Sequence, residues 1–119
     1  MTVELICVGT ELLLGNIVNT NAAFLAEQCA ALGLSCYYQT VVGDNPERLL
    51  QTVRTAFSRS DIILLSGGLG PTKDDLTKET VAEVFGAALL EDTASREMIA
   101  AYFQTRGKIP TENNWKQAL

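Results

Sequence analysis

Histidine is absent from this sequence of 119 residues. Its absence excludes Ser-His-Asp and Cys-His catalysis, imidazole metal sites and histidine-based pH switches. Acid-base and metal chemistry must therefore use Asp, Glu, Lys, Tyr or Cys side chains. Basic residues are also few, because 9 Lys and Arg accompany 14 Asp and Glu, for a formal charge of −5. Binding to nucleic acid or to an anionic membrane needs a basic patch, so the charge argues against both and favours small molecules or proteins as partners.

Proline and cysteine are scarce as well. Only 3 prolines accompany 47% hydrophobic residues, which is typical of a packed globule rather than a disordered chain. The three cysteines, Cys7, Cys29 and Cys36, form no CxxC pair and have apolar neighbours. We interpret them as reduced core residues, which indicates a cytoplasmic protein. The apolar run over 3–8 is too short for a signal peptide or a membrane span.

Apolar runs at 3–8, 34–42 and 62–65 predict three β-strands. The third run is apolar on both faces, which favours a central position in the sheet. Helical spacing of apolar residues predicts helices over 20–32, near 78–85 and over 93–106, and a further helix beginning at Pro46. Alternating strands and helices are the pattern of a parallel sheet covered by crossover helices, so the sequence predicts an α/β fold.

Two further features concern the inner face of the helix that begins at Pro46 and the residues at the C-terminal end of the chain. The helix that begins at Pro46 presents an inner face formed by Leu49, Val53, Ala56 and Phe57. Residues 111–119 have a capping threonine and helical composition but no helix-stop residue. Three strands are also few for such a fold, in which about 5 to 6 are usual. We therefore expect residues 1–119 to form a single domain that lacks a C-terminal part.

Ligands of open α/β sheets bind at the carboxyl ends of the strands, where loops and helix N-termini meet. The three strand ends lead into the segments 9–15, 43–45 and 67–77, all of which carry small or acidic residues. In the third segment, Gly67, Gly68 and Gly70 permit close backbone approach to an anion, as in phosphate-binding nests. The segment is neither a Walker A motif nor part of a GxGxxG motif. The alternative is a glycine-rich turn needed only to leave the sheet.

Acidic residues accompany the glycines. Asp74 and Asp75 offer hard oxygen ligands for Mg²⁺ or a similar cation, or else serve as carboxylates at a helix N-terminus. Because adjacent helical residues point about 100° apart, we expect only one of the two to face a ligand. Asp44 and Glu11 follow the other strands, and convergence with Asp75 would form a metal or general-base cluster. Asp44 could instead form an Asx turn before Pro46, and Glu11 could serve a first helical turn.

Several motifs follow one another along the chain. They are Gly9-Thr10-Glu11-Leu12-Leu13-Leu14-Gly15, Asn19-Thr20-Asn21, Val42-Gly43-Asp44-Asn45, Gly67-Gly68-Leu69-Gly70-Pro71-Thr72, Asp74-Asp75-Leu76-Thr77 and Glu112-Asn113-Asn114 with Lys116-Gln117-Ala118. Together they resemble the N-terminal domain of the CinA family (competence/damage-inducible protein A). That domain is related to the molybdopterin-binding domains of molybdenum cofactor biosynthesis, of the MogA/MoeA type. The resemblance covers essentially the whole chain, in the same order.

The resemblance implies a three-layer α/β/α domain and a metal-dependent pyrophosphatase that hydrolyses ADP-ribose to AMP and ribose 5-phosphate. By position, it makes Asp75 and Asp44 the catalytic acidic pair at the reacting phosphate, and Asp44, Asp75 and Asp74 the ligands of a divalent metal, Mg²⁺ or a transition metal. Asn113 and Asn114 match a segment that packs over the ligand site. The implied substrate contacts are Gly9, Thr10, Glu11, Gly67, Gly68, Leu69, Gly70, Thr72, Asn113 and Asn114.

The chain also departs from the family pattern. The family domain continues through further strands and a second glycine-containing loop, and in many CinA proteins a nicotinamide-mononucleotide deamidase domain follows. Two alternatives to hydrolysis therefore remain open. One is a binding module that holds a molybdopterin or a nucleotide without cleaving it. The other is an inactive fragment that folds as a homo-oligomer, in which a second copy covers the open edge of the sheet.

Overall fold

The first strand of the chain lies at the centre of the sheet. In the computed structural model, which describes residues 1–119, three parallel strands have the order β2-β1-β3. They are β1 (Thr2–Val8), β2 (Ser35–Val42) and β3 (Ile62–Ser66). The predicted parallel α/β fold is confirmed, but the central position of the third strand is wrong. β3 pairs only with β1. Helices that cover both faces of a sheet make an edge strand as apolar as a central one, so side chains alone do not distinguish the two.

Helices connect and follow these strands. The predicted helices over 20–32, 78–85 and 93–106 are confirmed, with ends that differ by one residue. The C-terminal helical segment divides into two short pieces, and a four-residue helix after β1 was not predicted. The helices are α1 (Thr10–Leu13), α2 (Thr20–Ala31), α3 (Pro46–Arg59), α4 (Thr77–Phe85), α5 (Thr93–Thr105) and α6 (Glu112–Trp115), followed by a 3₁₀ helix at Lys116–Ala118. None of these helices has both the length and the apolar character needed to cross a membrane.

Helix α3 begins as its sequence predicts. The side chain of Asn45 accepts a hydrogen bond from the backbone amide of Arg48 (3.0 Å), and Pro46 occupies the first turn. The prediction that Phe57 belongs to the inner face is wrong, because Phe57 is 54% exposed. Its ring packs edge-on against Phe85 of α4, with ring centroids 4.8 Å apart, so it joins two helices rather than helix and sheet.

Apolar clusters lie on both faces of β1, which makes the domain three-layered. Alternate strand residues point to opposite faces, so β1 contributes to both clusters. The three cysteines are free thiols, with Cys7 and Cys29 buried and Cys36 half-buried, as predicted. Burying one large apolar side chain stabilises the fold by about 1.5–3 kcal/mol. One cluster contains Ile6, Val8, Val42, Leu49, Val53 and Ala56, and the other contains Val3, Leu5 and Cys29.

One charged residue is buried within β1. Glu4 is 1% exposed, and its carboxylate accepts hydrogen bonds from Arg59 (Nη2 at 2.6 Å, Nε at 3.1 Å) and from the hydroxyl of Ser60 (2.9 Å). The hydrogen bonds from Arg59 are the main reason that the pKa of Glu4 lies below its ordinary value. The Arg59 guanidinium also stacks over the ring of Tyr38, 3.5 Å from its centroid. This pair fixes the end of α3 on the sheet.

The strand register brings the candidate loops to one edge. Val8 of β1 pairs with Val42 of β2, and Cys7 pairs with Ser66 of β3. A bulge shifts the β1–β2 register between Val3 and Glu4, well before this edge. The segments that follow the three strands therefore leave the sheet side by side.

Candidate functional site

The glycine loop, residues 67–70, packs tightly against the end of β1 and the start of α4. Gly67 has φ of +94°, and a Cβ atom there would lie 2.1 Å from the carbonyl oxygen of Val8. Gly68 has φ of +67°, and its Cβ would lie 2.1 Å from Oγ1 of Thr77. A side chain would collide with backbone at Gly67 and with the Thr77 side chain at Gly68, and the positive φ at both positions also favours glycine.

Thr77 holds this loop in place. Its hydroxyl donates a hydrogen bond to the carbonyl of Gly67 (2.8 Å), and its amide donates one to the carbonyl of Gly68 (3.2 Å). The amides of Gly68 and Leu69 donate no hydrogen bond to any other group of the chain. The carbonyls of Gly67 and Gly68 are thus bonded within the chain, while the amides of Gly68 and Leu69 remain available to an external acceptor. Thr77 was not among the predicted site residues, although it belongs to the motif Asp74-Asp75-Leu76-Thr77 and its position as a threonine at the start of an apolar helix was an available indication.

Asp75 closes the segment that follows the glycines. Its Oδ2 accepts hydrogen bonds from the amide (3.0 Å) and the hydroxyl (2.6 Å) of Thr72. The Thr72 hydroxyl is the main cause that lowers the pKa of Asp75. The amides of Thr72 and Gly70 and the charge of Lys116 contribute further, so the carboxylate is ionised at neutral pH. Asp74 is exposed. Only one of the two aspartates thus faces the loop, as expected. The expected reason was wrong, because both residues precede α4 and do not lie in a helix.

Asp44 contacts the start of α1. Its Oδ2 accepts a hydrogen bond from the amide of Thr10 (3.3 Å), and its own amide donates to Oγ1 of Thr10 (3.0 Å). This reciprocal pair connects the ends of β1 and β2. Glu11 lies in the first turn of α1 and folds back over Gly9, since a Cβ on Gly9 would lie 2.5 Å from Oε1 of Glu11.

The predicted convergence of Glu11, Asp44 and Asp75 is not found. No three acidic or cysteine side chains of the chain are grouped so that they could hold a metal ion. The carboxylates do not converge because each accepts hydrogen bonds close to its own strand end, Asp44 from Thr10 of α1 and Asp75 from Thr72 of its own turn. Mg²⁺ at phosphate sites, however, commonly takes one or two carboxylates together with phosphate oxygens. The acidic residues therefore fit such a cation only together with a phosphorylated ligand, and Thr72 leaves Oδ1 of Asp75 available for it.

A cavity of about 130 Å³ lies at this edge of the sheet, between the ends of β1 and β3. The Asn21 side-chain amide donates a hydrogen bond to the hydroxyl of Ser66 (3.0 Å) and so joins the start of α2 to the end of β3. Asp44 and Asp75 are not among the lining residues. These are Cys7, Val8, Glu11, Leu12, Ile17, Val18, Asn19, Thr20, Asn21, Ser66 and Gly67.

The C-terminal asparagines lie elsewhere. Asn114 accepts hydrogen bonds from the amide (2.9 Å) and the hydroxyl (3.0 Å) of Thr111, which caps α6. It lines a separate cavity of about 450 Å³ beside Met98 and Tyr102 of α5. Asn113 is exposed. The predicted ligand contacts of both asparagines stay predictions.

Comparison with known proteins identifies the family. A sequence family described as "Probable molybdopterin binding domain" matches residues 4–114. The crystal structure of the protein CinA from Thermoplasma acidophilum has a TM-score of 0.86 at 36% identity, covering 98% of this chain and 68% of that one. This chain belongs to the CinA family. The CinA family and the three-layer fold implied by the motifs are thereby confirmed.

More distant structures share the fold of this CinA-family chain. The molybdopterin biosynthesis enzyme MoaB from Thermus thermophilus has a TM-score of 0.66 at 22% identity, covering 84% of this chain and 62% of that one. At this identity the likeness shows the fold alone.

The curated relatives are much longer than the chain. A CinA-like protein of Nostoc sp. is 56% identical over 119 residues, which are 28% of its length. A competence-damage inducible protein of Bacillus cytotoxicus is also 56% identical, and the chain spans 29% of its length. What the longer CinA proteins do is therefore a matter of proposal for this chain.

Proposed function

We propose that this domain binds the phosphate group of a small phosphorylated molecule, a nucleotide or a pterin, at the glycine loop. The supporting observation is that the amides of Gly68 and Leu69 have no partner within the chain. Backbone amides of this kind are suitable donors to phosphate oxygens. The loop leads into α4, whose N-terminal dipole adds a favourable field for an anion.

A divalent cation is part of this proposal because of charge. The chain has a net charge of −5, and Asp74 and Asp75 follow the glycines directly. An ionised carboxylate near a phosphate repels it, and a cation shared between the two removes that repulsion. Asp75 would hold the cation together with phosphate oxygens, and Asp44 is the second candidate. Such a cation, when bound, would polarise a phosphoryl oxygen and acidify a water molecule.

As the catalytic form of this function, we propose hydrolysis of a nucleotide pyrophosphate such as ADP-ribose to AMP and ribose 5-phosphate. The loop amides would stabilise the charge that develops on the phosphate oxygens. With no histidine in the chain, the proton acceptor would be a carboxylate, with Asp75 and Asp44 as the candidates. Binding of a molybdopterin or a nucleotide without hydrolysis is the second candidate. It is favoured by the engagement of Oδ2 of Asp75 with Thr72, which gives that carboxylate oxygen a structural role.

Binding is tested by calorimetric titration of the chain with AMP, ADP-ribose and adenosine, with Mg²⁺ and with EDTA. Adenosine is the matched control because it lacks only the phosphate of AMP. We expect AMP and ADP-ribose to bind at least about tenfold more tightly than adenosine, with Mg²⁺ strengthening binding. Equal affinities for AMP and adenosine, or no binding of either phosphorylated ligand at millimolar concentration, would refute phosphate recognition.

Hydrolysis is tested separately. ADP-ribose is incubated with the chain and Mg²⁺, Mn²⁺ or Co²⁺, and the products are separated chromatographically. Release of equal amounts of AMP and ribose 5-phosphate supports the pyrophosphatase. Tight binding with no AMP released supports the binding module instead.

The proposal extends to location and assembly. Three unpaired thiols support a reducing compartment, and we propose the cytoplasm. The outer edges of β2 and β3 have no strand partner in the sheet, which supports self-association through an edge. Light scattering of the purified chain would measure its mass in solution, and a monomer at all concentrations would refute this assembly.

A further inference from the structure

Lys116 connects the C-terminal 3₁₀ helix to the segment after the glycine loop. Its ammonium donates hydrogen bonds to the carbonyl of Thr72 (2.6 Å) and to the carbonyl of Asp75. The third neighbour is the carboxylate of Glu79, with Oε1 3.8 Å from Nζ. The ammonium thus donates two hydrogen bonds to backbone carbonyls and is paired electrostatically with a carboxylate. The side chain is 17% exposed, and Oε2 of Glu79 is buried without a partner of its own.

A second lysine makes the reverse connection. Lys78, in the first turn of α4, donates a hydrogen bond from Nζ to the backbone carbonyl of Lys116 (2.7 Å). Lys78 is the neighbour of Thr77, which holds the carbonyls of Gly67 and Gly68. The start of α4, the turn at 72–75 and the 3₁₀ helix are therefore linked in both directions by charged groups.

We propose that Lys116 is a positioning residue for the glycine-loop site. Its ammonium fixes the turn at 72–75 through the backbone carbonyls of that turn and does not touch the ligand. This inference rests on the proposed function, since the site it positions is the phosphate site. A carbonyl directed at the ammonium turns the amide of the same trans peptide the opposite way. By holding the carbonyls of Thr72 and Asp75, Lys116 sets the orientation of the amides of Lys73 and Leu76. It also sets the backbone from which the Asp75 carboxylate projects.

The alternative role for Lys116 is direct contact with the phosphate. The geometry argues against it, because Thr72, Asp75 and Glu79 already surround the ammonium. Freeing it for a ligand would leave two backbone carbonyls without their donor and a partly buried carboxylate without its counter-ion, at a cost in stability.

The test compares Lys116→Met, Lys116→Arg and a control, Lys108→Met, an exposed lysine on the chain's surface. Hydrogen exchange of residues 67–76 is followed by mass spectrometry, and ADP-ribose affinity by calorimetry with Mg²⁺. We expect Lys116→Met to speed exchange of this segment and to weaken binding, each by at least about tenfold. Lys116→Arg keeps a cation and should return both values to within about threefold of the wild type. Lys108→Met should change neither.

The outcomes separate this inference from the proposed function. If the wild type binds ADP-ribose and Lys116→Met binds it equally well, Lys116 is not a positioning residue and the proposed function stands. If the wild type does not bind, the proposed function is wrong, and unchanged exchange in Lys116→Met then refutes the positioning role as well. Should Lys116→Met fail to fold, Glu79→Gln removes the negative charge beside the ammonium and leaves Lys116 in place. Exchange at 67–76 should then rise more than about threefold, and wild-type exchange would refute the inference.

Discussion

The hydroxyl of Thr77 donates a 2.8 Å hydrogen bond to the carbonyl of Gly67, and Thr77 is only 4% exposed. The first residue of α4 is thus bonded to the loop that the third strand leads into. Because the amide of Thr77 also bonds the carbonyl of Gly68, one residue fixes two successive peptide groups. The orientation of the free amides that follow depends on this contact.

Replacing Thr77 tests that dependence. Thr77→Val keeps the shape of the side chain but removes the donor, which leaves the carbonyl of Gly67 without its hydrogen bond. We expect the free energy of unfolding to fall by about 1–3 kcal/mol in urea denaturation, and AMP affinity to fall with it. Thr77→Ser keeps the hydroxyl and should lose less than about half as much. A valine variant as stable as the wild type would contradict the importance of this bond.

A pair of glycine substitutions separates close approach from backbone strain. Gly68 and Gly86 have nearly equal φ, +67° and +64°, but a Cβ at Gly86 would meet nothing within 4 Å. Gly86→Ala should therefore cost only the strain of a left-handed residue, about 1 kcal/mol. Gly68→Ala adds a collision with Thr77, and we expect a further loss of about 1–3 kcal/mol together with loss of AMP binding. Thermal unfolding and calorimetry measure both, and equal effects at the two positions would contradict the prediction.

The buried pair of Glu4 and Arg59 predicts a pH dependence of stability. The pKa of Glu4 is lowered in the folded state from an ordinary value of 4.5, so the folded state favours the ionised form. The stabilisation that ionised Glu4 gives to the folded state is present above about pH 4.5 and is lost as the pH falls through the pKa of the folded state. Glu4→Gln should lower the free energy of unfolding at pH 7 by about 2 kcal/mol, and the difference from the wild type should shrink in acid.

The control for this experiment is an exposed ion pair. Oε1 of Glu91 lies 2.5 Å from Nη1 of Arg96, but the two side chains are 47% and 46% exposed. Glu91→Gln should therefore change the stability little at any pH, because exposed pairs are screened by water. A difference between wild type and Glu4→Gln that stayed constant from pH 7 to pH 3 would show that ionisation of Glu4 is not the cause.

Asp75 has a matched control in Asp92. Each aspartate uses Oδ2 to accept hydrogen bonds from the amide and hydroxyl of a residue three positions away, Thr72 for Asp75 and Ser95 for Asp92. Both Asp→Asn changes should thus lower stability to a similar degree. Only Asp75→Asn should abolish release of AMP from ADP-ribose and remove the effect of Mg²⁺ on binding. Turnover by Asp75→Asn at the wild-type rate would refute the proposed role.

Local sequence patterns were sufficient for the three strands and the four longer helices of this fold. Asn45 and Pro46 begin α3 as expected, since capping and a fixed φ act within one turn. The central position predicted for β3 was wrong, because a strand at the edge of a helix-covered sheet can be as apolar as a central one and differs in the number of its hydrogen-bonded neighbours. Phe57 was misassigned for a similar reason. Its partner Phe85 lies in another helix, at a distance in sequence that periodicity does not reach.

At the candidate site, the glycine loop, the acidic residues around it and the CinA-type succession of motifs could all be predicted from sequence. Those features are encoded in runs of neighbouring residues. The folded structure was needed to show that Asp44 bonds to α1 rather than to Asp75 and Glu11, and that Lys116 supports the turn at 72–75. Such contacts join residues more than thirty positions apart, so only the packing of strands and helices brings them together.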